Sequence, residues 1–176
     1  MKNLREAKAH LARRGIVTLA EFVEAIAGEK PKGSWWSHPQ GKLIFNVTSA
    51  LEDEEGVVTC KLVDGKVTFV DPTLVPSLLA VVTNPKWRRA RMSKLSPPAF
   101  RLFHRIDKEL EITAKYKKFA AELAESLLVR SESRHTKSGR HATFLVHWRK
   151  VRGLPSFSEA TAVLARHGIE LVESPP

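Results

Sequence analysis

Asp64-Gly65 separates two β-branched, alternating runs, residues 57–63 and 66–70. Asp followed by Gly tolerates the positive φ that both central residues of a two-residue hairpin turn require, so the pair folds the runs into an antiparallel hairpin. Helical spacing brackets that hairpin on both sides. The pattern reads as a mainly helical α+β chain with a second β-hairpin further on.

The helix boundaries are written in their caps. Asn3 precedes a stripe of Leu4, Ala7, Leu11 and Ala12 that Gly15 stops, and Thr18 with Glu21 forms a capping box for a second helix ending at Gly28. Residues 29–41, EKPKGSWWSHPQG, carry too much Pro and Gly for regular structure, and Trp35 and Trp36 mark them as an ordered loop. A helix is expected over 42–51, closed by the acidic cluster 52–55 and Gly56, and a short apolar one over 72–82, ended by Asn84-Pro85. Ser96-Pro97 sets the N-cap and first position of the next, with Phe100, Phe103 and Ile106 as its buried stripe. From Thr113 a helix is expected to about Leu128. Residues 129–147 change to a strand period around Lys137-Ser138-Gly139, and 156–168 form the last helix. Residues 6–16 and 159–169 echo each other at eight of eleven positions, read as one helix-stop pattern used twice.

Charge divides the chain. Residues 1–84 hold ten Lys/Arg against ten Asp/Glu, and residues 85–176 hold nineteen against nine, so all of the net +10 lies in the second half. A field of that sign attracts polyanions and contributes little to folding, which makes nucleic acid the expected partner. An N-terminal part over 1–84 and a basic part over 85–176 are the natural units, possible within one compact body. The single cysteine, Cys60, lies in an apolar strand run, so it is expected to be a buried thiol in a reducing cytoplasm. Met1 to Arg14 has no apolar core of a leader, and no segment has the apolar length of a membrane span, so neither secretion nor a membrane role is expected.

Within the second half the run Lys86, Trp87, Arg88, Arg89, Arg91, Lys94 has five cations and no acid. The segment RSESRHTKSGRHATFLVHW holds Arg130, Arg134, His135, Lys137, Arg140 and His141. A three-residue loop at 137–139 pairs His135 with His141 on one face. A two-residue Ser138-Gly139 turn pairs Thr136 with His141 and puts the histidines on opposite faces; both registers stay open.

The order helix, helix, basic hairpin with a Gly-containing tip, from Leu95 to Trp148, resembles a winged helix-turn-helix nucleic-acid-binding domain. The resemblance implies one helix in the major groove and a wing along the phosphate backbone or the minor groove. It puts Lys115, Tyr116, Lys117 and Lys118 in the first turns of the helix before the wing, where base or phosphate contacts fall. The chain departs from the family between Leu110 and Leu128, which has room for one helix where two are usual, unless the 72–82 helix supplies the other.

On this reading Arg88, Arg89, Arg91, Arg134, Lys137 and Arg140 neutralise phosphates, and Lys115, Tyr116, Lys117, Lys118, His135 and His141 set orientation, with DNA the preferred ligand. Trp36, beside His38 and Lys42, and Trp87, inside the Arg-rich run, are the rings that could stack on an unpaired base. Two histidines without a third donor make no expected metal site, and the chain has no phosphate-cradling loop, HExxH, GxSxG or dinucleotide fingerprint, so no cofactor is expected. A different class of reading is a repair enzyme of glycosylase or lyase type acting on damaged or unpaired bases, with His38, His135 and His141 as catalytic candidates. A third is a protein-interaction module whose basic face meets an acidic partner. RNA is open as well, because exposed aromatics suit single strands.

Overall fold

The computed structural model describes residues 1–135 and 140–171, with His135 and His141 described through their backbone only. The chain is α+β. Its elements run α1 (Leu4–Arg14), β1 (Ile16–Thr18), α2 (Leu19–Ala27), a 3-10 turn at Trp35–Ser37, α3 (Gly41–Glu52), β2 (Val58–Val63), β3 (Lys66–Val70), α4 (Val75–Val82), α5 (Pro85–Met92), α6 (Pro97–Phe103) and β4 (Glu109–Glu111). They continue with a 3-10 turn at Ala114–Tyr116, α7 (Lys117–Glu125), β5 (Val129–His135), β6 (His141–His147) and α8 (Phe157–Ala165). Among the described residues no helix is long and apolar enough to cross a membrane.

Most caps act where the sequence put them. The Asn3 side chain accepts from the Glu6 N–H, Thr18 and Glu21 close their capping box, and Ser96 caps α6. The same box recurs at Ser156 and Glu159 on α8. Asn84 does more than end α4: its side chain accepts from the Lys86 and Trp87 N–H groups and starts α5, so the basic run is helical. On α6 the buried residues are Ala99, Leu102 and Phe103, with Ile106 just beyond the helix, and Phe100 is 40% exposed, which corrects the expected stripe. The helix expected from Thr113 is a 3-10 turn followed by α7. It stops at Leu127, a buried residue at φ 58°, and a leucine in the left-handed region is a stop no pattern announces.

Two three-stranded antiparallel sheets form, β1-β3-β2 and β4-β6-β5. The Asp64-Gly65 turn has φ 48° and 66°, as the hairpin demands. The short edge strands β1 and β4 went unread because three residues carry no period. In the second sheet His135 stands opposite His141, the register of the longer loop.

Three clusters of buried side chains hold these layers. One gathers α1, α2 and α3 on one face of the first sheet around Phe22, Ile44 and Phe69. A second packs α6 and α7 on the other sheet around Leu102, Leu123 and Leu145. The central cluster draws on both sides of residue 84, joining Val70, Leu78 and Val81 to Trp87, Trp148 and Leu164. The two echoing segments meet there: the His167 Nδ1 hydrogen-bonds the Arg14 carbonyl oxygen at 3.2 Å, and Gly15 and Gly168 both take positive φ, 75° and 77°.

Candidate nucleic-acid interface

The hairpin that suggested a phosphate clamp spends its cations on its own sheet. Residues 130, 132 and 134 of β5 share a face with 109 and 111 of β4, so Arg and Glu alternate across it. Arg130 pairs with Glu132 at 2.8 Å, Arg134 with Glu109 at 2.8 Å and with Glu132 at 3.1 Å, and Arg140 with Glu111. The hydrogen bond to Glu109 is the largest of the effects that raise the Arg134 guanidinium above its ordinary value, and the Phe144 ring lies 4.6 Å from that guanidinium. Arg134 and Arg140 are therefore held by carboxylates, where the sequence reading had them open to phosphate. Lys137 lies outside the described residues, as do the side chains of His135 and His141.

The Arg-rich run divides by the turn of α5. Trp87 is 5% exposed and its Nε1–H donates to the Leu171 carbonyl oxygen at 2.8 Å, so this ring is a core anchor and cannot stack on a base. Arg88 turns the same way. Its Nη1 donates to the carbonyl oxygens of Val82 at 3.0 Å and Leu128 at 3.1 Å, its guanidinium lies 5.6 Å from the Phe103 ring, and burial lowers its pKa. Arg88 is thus a cap for two buried carbonyls, where the sequence reading had it as a phosphate ligand. Lys86 and Arg89 face solvent on the other side of the helix, and the Arg91 guanidinium sits 4.9 Å from the Trp87 ring.

Lys115, Lys117 and Lys118 are exposed, and none of the three makes an ion pair among the described residues. They follow one another through the 3-10 turn into the first turn of α7, which has no acidic residue. Tyr116 lies between two cations: the Arg105 guanidinium is 4.9 Å and the Lys115 ammonium 5.6 Å from its ring centre. A hydrogen bond from Arg105, and then the charges of Arg105 and Lys115, pull the phenol below its ordinary pKa. Arg105 was missed by sequence reasoning, since it lies in the connection after α6 and only the fold brings it to Tyr116. Glu109 and Glu111 had a legible signal, their alternation in KELEI.

In the Trp-containing loop the rings of Trp35 and Trp36 stack at 4.0 Å between centroids with 23° between planes, and Phe45 of α3 adds a third ring 5.4 Å from Trp36. Trp35 is half-buried, while Trp36 is 63% and Phe45 44% exposed. His38 is occupied within its own loop: its Nδ1 accepts from the Gln40 N–H at 3.2 Å and its Nε2 lies 3.8 Å from Glu29. Among the described residues no group of three His, Cys, Asp or Glu side chains comes together as metal donors. No family model matches this chain, and neither does any curated protein or any solved structure.

Proposed function

We propose that this chain binds nucleic acid, with DNA the first ligand to test, through a helical basic surface rather than through its hairpin. The observation that carries the reading is the contrast between the two sets of cations. Arg130, Arg134 and Arg140 are matched to Glu109, Glu111 and Glu132, whereas Arg89, Lys115, Lys117 and Lys118 have no ion pair among the described residues. Lysines in the first turn of a helix oppose its dipole, an arrangement that costs stability unless an anion relieves it. Phosphates are such anions, and Tyr116 beside Arg105 adds a donor and a ring at the same place. The exposed Trp36, backed by Trp35, offers a separate surface for an unpaired base. The winged-helix resemblance fits a hairpin braced by β4, and α7 is then the helix that approaches the groove.

The test is a binding titration with labelled duplex DNA across a salt series, run beside single-stranded and abasic-site DNA and checked on a denaturing gel. Binding should weaken steeply with salt, by close to 0.9 of a logarithmic unit per phosphate neutralised for each tenfold rise in salt. Replacing Lys115, Lys117 and Lys118 together by Gln should flatten that slope by roughly 2–3, and Arg134→Gln with Arg140→Gln by less than about 1. No binding at low salt would refute the reading and leave an acidic protein partner. Strand scission or base loss would replace it with the repair enzyme.

A further inference from the structure

The first sheet has two covered faces, and alternation assigns each strand residue to one of them. Cys60, Leu62 and Val70 belong to the central cluster, while Val67 and Phe69 turn to the cluster formed with α2 and α3. Thr59 and Lys61 share that second face. Thr59 is satisfied there, donating its hydroxyl to Glu52 at 3.2 Å. Lys61 is half-buried and makes no ion pair among the described residues. The strand register shifts between Cys60 and Val63, so that Leu62 and Val63 both reach the central cluster. A bulge of this kind re-aims neighbouring side chains, and here it lies immediately beside the lysine.

Lys61 borders a cleft of about 460 Å³ between α2, the loop before Trp35 and the hairpin, within the size range of small-molecule sites. The cleft wall is Leu19, Val23, Trp35 and Val67, and Lys30 and Lys66 stand with Lys61 around it. Glu24 is the one carboxylate in the lining. Asp64 lies 3.7 Å from Lys66, and the Glu125 carboxylate approaches the turn at Gly65. Neither is in ion-pair contact with Lys61.

We infer that this cleft binds a small organic anion with an aromatic or aliphatic body, the acid group on Lys61 and the body against Trp35, Val23 and Val67. Charge complementarity selects that occupant: beside the apolar wall the lining carries Lys30, Lys61 and Lys66 against the single carboxylate of Glu24, and even with Lys66 shared with Asp64 the positive excess favours an anion over a neutral or cationic ligand of the same shape. A nucleic-acid strand fits less well, since its phosphates have no use for an apolar wall. The inference is independent of the basic surface on the second half of the chain.

The probe is 1-anilinonaphthalene-8-sulfonate, with the uncharged N-phenyl-1-naphthylamine as its neutral counterpart. The full-length chain should bind the sulfonate saturably at one site, changing tryptophan emission, and bind the neutral dye at least tenfold more weakly. Lys61→Met should raise the sulfonate Kd at least tenfold and Lys61→Arg should restore it. Ala20→Trp, at an exposed helix position on the cleft, should block the site with thermal unfolding unchanged. Trp36→Ala should retain binding. The inference is overturned if native protein shows no saturable sulfonate binding, if Lys61→Met and Ala20→Trp both bind as the parent does, or if binding is lost with Trp36 alone.

Discussion

Replacing Arg88 separates a structural cation from a phosphate ligand. Its guanidinium donates to the Val82 and Leu128 carbonyl oxygens, and both of those residues are fully buried. Arg88→Met keeps much of the side-chain stem and removes both donors. Each lost charge-assisted bond leaves a buried acceptor without its partner, at about 1–3 kcal/mol apiece. Because Arg88 is only half-buried, water can reach part of the gap, and the sum should fall near about 3 kcal/mol rather than at the upper limit. For a chain of this size that lowers Tm by roughly 6–12 °C. Urea unfolding followed by far-UV circular dichroism reads the loss, with an unchanged m-value showing that the denatured state is unaltered. Salt-dependent DNA binding, measured below the new midpoint, should keep the slope of the parent. A stability change below about 0.5 kcal/mol, the range of an ordinary surface position, combined with a flattened salt slope, would refute the assignment.

Gly15→Ala should cost well over the roughly 1 kcal/mol of a left-handed alanine, because at φ 75° its Cβ would sit 2.7 Å from both His167 and Leu74. Gly28→Ala, at φ 82° with open space around it, should cost only that conformational part, and paired denaturation curves compare the two. The Cys60 thiol is pushed up to about 12 by burial, so it should resist a thiol reagent at pH 8 in the native protein and react fully in denaturant. Although the Glu52 side chain reaches solvent, desolvation raises its carboxyl above its usual value, despite the Thr59 hydroxyl that donates to it. Its folded-state pKa then exceeds the unfolded one, so the favourable contribution is complete below the unfolded value and is lost as pH rises through the folded value. Glu52→Gln keeps an acceptor for Thr59 and should raise stability at pH 7 while leaving it little changed at pH 4, as parallel urea titrations at the two values would read.

What the sequence determined by itself is local. Caps at Asn3, Thr18 and Ser96, the Asp64-Gly65 turn and the apolar stripes act over a few bonds or one helical turn, so their pattern is enough to locate α1, α2, α6 and the first hairpin. The charge asymmetry is likewise a property of the sequence. The tertiary structure decided which cations have carboxylate partners. Arg134 and Arg140 look as basic in the sequence as Lys117 and Lys118, yet Glu109 and Glu111 come to the first pair only when β4 docks on β6, more than twenty residues away along the chain. Trp87 and Arg88 were claimed by the core for the same reason: the carbonyls of Leu128 and Leu171 need donors, and only packing brings them to α5. Partner identity in an ion pair or a buried hydrogen bond depends on through-space distance, and no local pattern of residues encodes that distance.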